Sequence, residues 1–260
     1  MARSSYYYHK KRFDKVDKYC VEREAILAIY HKNKGRYGYR RITQELRNQG
    51  ILLNHKTVSK LMLQLGIKCQ VRRKKYRSYK GEKGKIAENI LDRRFTTSQP
   101  NRKWATDVAV FSLLGEKLYL SPIIDLFNGE IISYDISKSP NLQQTMTMIE
   151  KAFKKIPDNS RLILHSDQGW QYQHQSYRQA LKNKGVIQSM SRKGNCLDNA
   201  MVENFFGHVK AELFYLQKFK SIEHLKKELI DYMEYYNNER IKIKLKGLSP
   251  VKYRTQSKYE

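Results

Sequence analysis

The chain has 260 residues, 40% hydrophobic and 12% aromatic, enough for a real core in one large domain or two smaller ones. Lys and Arg number 51 against 25 Asp and Glu, a formal net charge of +26, which attracts polyanions and makes nucleic acid the leading partner. Three scattered cysteines, Cys20, Cys69 and Cys196, form no CxxC pair and support neither a disulfide framework nor a zinc finger.

A reducing cytosol follows as the default. No apolar run approaches the roughly 20 residues of a membrane span, and the opening MARSSYYYHKKR has no apolar signal core. The expected location is the cytoplasm, with no membrane contact.

The charge is uneven: +18 over residues 1–100 and +8 over 101–260. The front of the chain reads as an electrostatic handle. Residues 21–32 have apolar side chains at helical spacing. After the loop NKGRYGY, a second helix runs from Arg40 to Gly50, with Ile42 and Leu46 on one face and Gly50 as a C-terminal cap. A third helix carries Val58, Leu61, Met62 and Leu65 at i, i+3, i+4 and i+7, with Lys56, Thr57, Ser59 and Lys60 near its start. This pattern fits a helix-turn-helix over residues 1–67, with Arg40, Arg41, Lys56, Thr57 and Lys60 as candidate DNA contacts. A plain helical bundle with a basic exterior is the alternative. Residues 68–101 read as a basic linker, whose Arg72, Arg73, Lys74 and Lys75 are placed to track phosphates.

From about residue 102 to 260 the texture becomes that of an α/β domain. WATDVAVF, EKLYLSPIIDL (interrupted by Pro122), GEIISYDI, RLILHSD and VIQSMS read as five strands. Helices are predicted at 142–153, 174–184, about 198–216 and 221–240. Three meandering strands followed by alternating helices and strands predict a mixed sheet with helices on both faces.

Phosphodiester chemistry needs divalent metal, and Mg²⁺ needs hard oxygen ligands, so converging carboxylates are the feature to find. Asp107 lies inside an apolar strand, where an unsatisfied acid is costly; it is either a site residue or an edge acid facing water. Asp167 ends the strand LILHSD, where α/β sheets place ligands, and His165 shares its face, as a substrate group or a satisfied core histidine. Asp125 precedes Phe127-Asn128-Gly129 and is expected to shape that turn. In LDNAMVENFFGHVKAE, Val202, Phe205, Phe206, Val209 and Leu213 form the buried stripe, and Asn199, Glu203, Gly207 and Lys210 a polar column. Asp198 is expected to cap the helix. Glu212, nine residues past Glu203, is expected on the far side and dispensable.

Asp107, Asp167 and Glu203, with thirty-five residues between the last two and Lys210 seven beyond, resemble the Asp-Asp-Glu triad of DDE transposases and retroviral integrases. The words WATDV, LSPIIDLFNGEIISY, HSDQGWQY, SRKGNCLDNAMVENFFGHVKAE and YYNNERIKIKLKGLSPVKY look like the second-frame transposase of bacterial two-frame insertion sequences, across about residues 20–255. The resemblance implies a ribonuclease-H-like core with a five-stranded mixed sheet, preceded by a small all-α helix-turn-helix domain. It implies cleavage and transfer of DNA strands at element ends with Mg²⁺ or Mn²⁺, two ions per site, held by Asp107, Asp167 and Glu203. Lys210, Asn199 and His165 would contact DNA or support those ligands. Double-stranded DNA, both element end and target, a second copy of the chain at synapsis, and an upstream-frame protein as fusion or partner are the implied partners. Two departures stand out: the retroviral-type zinc module is absent, and Lys242 stands where related sequences often have His. The rival readings are a DNA-binding regulator without catalysis and a ribonuclease-H-like nuclease without strand transfer.

Overall fold

A computed structural model describes residues 3–4, 6–7, 18–71, 88–192 and 196–256. The arm with Arg72, Arg73, Lys74 and Lys75 lies outside these residues. The chain forms two compact units, Met1–Val71 and Arg72–Glu260.

In the first unit α1 (Cys20–Lys32), α2 (Tyr39–Asn48) and α3 (His55–Gln64) pack together. Ile26 and Ile29 of α1, Ile42 and Leu46 of α2, and Val58, Leu61 and Met62 of α3 are all buried, as the apolar spacing predicts. Helix α2 ends in a Schellman turn: Ile51 N–H donates to the Leu46 carbonyl at 2.8 Å and Gly50 N–H to that of Arg47 at 3.0 Å. Gly50 takes φ +84 there. The side chain of Asn54 caps α3 by accepting from Lys56 N–H at 2.9 Å. Segment 67–70 returns along the α1–α2 loop, where Tyr30 hydroxyl donates to the Lys68 carbonyl and Gln70 N–H to the Gly35 carbonyl.

The second unit is built on a six-stranded mixed sheet: β1 (Lys103–Thr106), β2 (Ala109–Leu113), β3 (Glu116–Asp125), β4 (Ile131–Ser137), β5 (Ile163–Ser166) and β6 (Ile187–Met190). β3 pairs antiparallel with β1, β2 and β4, while β1–β5 and β5–β6 are parallel. The count is six rather than five because WATDVAVF is one strand broken in the middle. β1 and β2 lie along the same edge of β3 in one register, Thr106 opposite Ile123 and Ala109 opposite Leu120. That register sets Pro122, which has no N–H to offer a ladder, opposite Asp107. The expected interruption at Pro122 therefore does not appear in β3, which runs through it and pairs it with Tyr134. It appears in the neighbouring strand.

Helices cover both faces. On one, Ala105, Ala109, Phe111, Leu120 and Ile124 meet α7 (Ala200–Val209) and α8 (Ile222–Asn238). On the other, Trp104, Ile123, Ile132 and Leu164 meet α4 (Leu142–Phe153) and α6 (Gln175–Lys184). A four-residue helix α5 (Trp170–Gln173) follows β5, and α9 (Pro250–Gln256) follows the last turn; neither is predicted by the sequence pattern.

Helix α7 does not run straight to residue 216. It passes into a π-helical turn, Lys210–Phe214, and Glu212 is buried at 2% exposure. The side of the helix away from Glu203 is the interior, not solvent, which corrects the expected surface role. Arg240 compensates the charge through two hydrogen bonds of 2.7 Å to the two carboxylate oxygens, and Tyr232 hydroxyl donates a third at 3.0 Å.

Candidate active site

Side chains alternate across a strand, so Asp107 shares the face of Ala105 and Ala109, the face that α7 covers. β1 and β5 run parallel with Lys103, Trp104 and Ala105 beside Ile163, Leu164 and His165. Two residues past that last pair stand Asp107 and Asp167. Asp107 occupies the gap between β1 and β2, where its carboxylate accepts from Val108 N–H at 2.7 Å. Asp167 opens the turn after β5, and its carboxylate accepts from Gly169 N–H at 2.9 Å. Glu203 comes from the first turn of α7. Three separate elements thus deliver one half-buried carboxylate each.

Electrostatics ties the three together. Burial, then the charge of Asp167 and, more weakly, that of Glu203, raises the Asp107 carboxyl to about 7. Burial raises Asp167 and Glu203 as well. Among the described residues no group of three or more His, Cys, Asp or Glu is placed to hold a metal ion; what the structure brings together is Asp107 and Asp167, with Glu203 acting on Asp107 more weakly.

Asn199 links helix to strand. Its side-chain amide hydrogen-bonds the Asp107 carboxylate and donates to the Thr106 carbonyl at 3.4 Å, while its buried Oδ1 has no hydrogen-bond partner among the described residues. The three carboxylates and the amide oxygen are hard oxygen donors, the ligand type that Mg²⁺ takes. Lys210, at the start of the π turn, sets its ammonium 5.9 Å from the Phe111 ring centroid. Gly207, between Glu203 and Lys210, is exposed, with nothing within 4 Å of where a Cβ would lie.

His165 is fully buried, with Nδ1 2.9 Å from Ser189 Oγ, and burial lowers it to about 4. It is a neutral histidine tied to β6. Asp125 shapes its turn as expected, accepting from Phe127 N–H at 3.0 Å and Asn101 N–H at 2.8 Å, and Arg254 pairs with it. Lys242 donates to the carbonyls of Asn128 and Gly129 and stands 4.6 Å from the Tyr236 ring centroid. In the first unit, Lys56 and Lys60 are exposed on α3, Arg40 is exposed on α2, and Thr57 and Arg41 are half-buried.

Two features escape the sequence pattern. Tyr172 of α5 is fully buried yet feels the charges of Asp107 and Asp167; a phenol two residues past the first exposed position of a short helix carries no periodic signal. Asp198 is not a helix cap. The cap position belongs to Asn199, without a side-chain cap bond, and Asp198 turns inward to Arg93 and Arg192.

Comparison with known proteins agrees with this architecture. Models of an HTH-like domain match residues 21–75, and models of an integrase core domain match residues 97–196 and 203–257. The chain is 52% identical over 99% of its length to the putative transposase InsK of insertion sequence element IS150 from Escherichia coli K12, covering 91% of that protein. It is 53% identical over 80% of its length to an uncharacterized transposase-like protein of Haemophilus influenzae, covering 95% of it. Among solved structures, the HTLV-2 integrase catalytic core domain in complex with magnesium aligns over 60% of this chain and 98% of its own, at 16% identity and a TM-score of 0.48. On the strength of the long, high-identity match to transposases, the chain belongs to the family of insertion-sequence transposases with an integrase core domain.

Proposed function

We propose that this transposase cuts DNA at the ends of its insertion sequence and joins the freed 3′ end to another strand. The observation that carries the reading is the placement of Asp107 and Asp167 side by side beyond two parallel strands, with Glu203 of α7 close enough to act on Asp107, whose carboxyl is raised by burial and by those two charges. These carboxylates would hold two Mg²⁺ or Mn²⁺ ions, which when bound supply activation of the attacking oxygen and stabilisation of the leaving one. The chain's own residues orient the reaction. Asn199 fixes the Asp107 carboxylate, Gly207 leaves room for the DNA backbone, and Lys210 meets a phosphate beside the acids. Displacement is in line at phosphorus, and positioning with charge neutralisation does most of the work.

The helix-turn-helix unit would hold the DNA through Arg40, Arg41, Lys56, Thr57 and Lys60, and the basic arm through Arg72, Arg73, Lys74 and Lys75. Synapsis of two ends calls for more than one copy of the chain, and an upstream-frame fusion or partner would extend the DNA contacts.

The test is Glu203→Gln assayed for Mn²⁺-dependent nicking of the element's end. Loss of nicking with retained DNA binding is expected; full activity would sink the assignment. A strand-joining assay, with and without the upstream-frame protein, separates transfer from hydrolysis alone. Binding without any metal-dependent cleavage would mark a regulator.

A further inference from the structure

Asp198 is fully buried, and both of its carboxylate oxygens are engaged. Arg192 approaches with Nε at 2.8 Å and a terminal nitrogen at 2.9 Å, Arg93 with Nε at 2.9 Å, and Asn89 with its amide at 2.9 Å; Arg192 N–H adds a bond of 3.1 Å. The arginines are not buried with it: their side chains are 45% exposed at Arg93 and 54% at Arg192. A guanidinium has five N–H donors. Arg93 commits one and Arg192 two, and among the described residues the others have no protein acceptor. Asp92 also acts on Arg192, so the charges of the cluster are close to balanced, and what it turns outward is the remaining N–H donors of two guanidiniums.

The way Arg93 is held adds a second observation. Asp92 and Arg93 are consecutive non-glycine residues with left-handed backbones, φ +41 and +58. Such strain persists only when surrounding contacts over-determine it, and it concentrates at sites that use it. Here Leu91 is buried with its N–H on Ser189 Oγ, and Asp92 N–H is held by the side chain of Asn89. Asp198 would already be paired by the fork of Arg192, so a strained turn that adds one bond from Arg93 has its use in where it puts the guanidinium.

That place adjoins the acids. Asp198 directly precedes Asn199, whose amide bonds Asp107. Arg192 directly follows Ser191, whose N–H donates to the Ser166 carbonyl and whose carbonyl accepts from Gln168, the neighbour of Asp167. We propose that Arg93 and Arg192, pinned by the shared carboxylate of Asp198, form a bracket for a backbone phosphate of the DNA strand that enters the carboxylate site. Arginine's planar fork suits a phosphate, and pre-pinning it lowers the ordering cost of each bond formed. The inference rests on the reading of the site as one that works on DNA.

The experiment compares Arg93→Gln and Arg192→Gln in the full chain, in the Glu203→Gln background and without metal, so that binding is read without cleavage. The probe is a short DNA duplex, titrated at several salt concentrations. Each variant should reduce the salt slope by about 0.9 per lost phosphate contact and weaken binding on every sequence alike, while staying folded at the assay temperature with a melting temperature lowered by the lost bonds to Asp198. An unchanged slope in a folded Arg192→Gln overturns the proposal. So does an equal loss in Lys227→Gln, an exposed lysine on α8, because the effect would then be one of net charge. Failure of both variants to fold also overturns it, since it would place the arginines in the fold rather than on DNA. A nicking assay on the unaltered chain keeps the two readings apart: nicking with unchanged slopes sinks the bracket alone, and reduced slopes without nicking sink the chemistry alone.

Discussion

Asp107 and Asp167 stand the same two residues beyond the paired Ala105 and His165, on neighbouring parallel strands, so each acid lies in the other's field. Placing two like charges side by side in a half-buried setting costs stability once both ionise. The Asp107 carboxyl, raised to about 7 by burial and by its neighbours, sits above the ordinary value of about 3.9. With a folded value above the unfolded one, its contribution is present below about pH 4 and is lost as pH rises towards 7. Metal-free Asp107→Asn should therefore melt higher than the parent at pH 8 and match it near pH 4. Added Mg²⁺ or Mn²⁺ should raise the melting temperature of the parent at pH 8 and leave Asp107→Asn nearly unmoved. Equal shifts in both proteins would remove Asp107 from the metal site.

Glu212 supplies a second prediction. Removing one member of a buried pair leaves an uncompensated charge, at a cost of about 3–5 kcal/mol. Glu212→Gln should lose that order of stability in denaturant titration, because Arg240 is 1% exposed and bonds both carboxylate oxygens. The double variant Glu212→Gln, Arg240→Met should recover part of it. A single variant as stable as the parent would mean that the pair contributes nothing. Glu223, 68% exposed on α8, is the better surface control for activity assays.

Asp198 turns the pH argument round. Burial opposes its ionisation, but hydrogen bonds from Arg192 and Arg93 outweigh burial and hold the carboxyl well below the usual range. A folded value below the unfolded one gives stability that is present above about pH 4 and lost as pH falls further. Asp198→Asn should be roughly 1–3 kcal/mol less stable than the parent at pH 7, and the gap should close below pH 4. A gap that stays constant down to pH 2 would contradict the ion pairs.

Gly207 tests the exposed face of α7. With open space around it, Gly207→Ala should gain up to about 1 kcal/mol from helix propensity alone. Gly207→Leu should fold as well but lose nicking, because its side chain projects between Glu203 and Lys210. Wild-type nicking in the folded leucine variant would mean that DNA does not lie on this face.

Much of this architecture is legible in the residues. The helix Leu142–Phe153 falls where its apolar spacing places it, with Asn141 capping it through Gln144 N–H. The acid at the end of LILHSD and the stripe from Val202 to Leu213 define which elements face one another. What escapes depends on partners distant in sequence. Arg93 and Asn89 reach Asp198 across more than a hundred residues, so a local reading makes Asp198 a cap. Arg240 lies 28 residues beyond Glu212, and without it a buried glutamate is too costly to propose. The helix Trp170–Gln173 is a single turn, too short for periodicity to mark.

The gap at Asp107 has one more consequence. Because the register along β3 resumes unchanged at Ala109, the interruption has a fixed length of two residues. A one-residue insertion or deletion there would turn Phe111 outward and bring Val110 and Ser112 to the inner face. The segment can accept a different residue at Val108 far more readily than a different number of residues: its length, more than its composition, is what holds the acid in place.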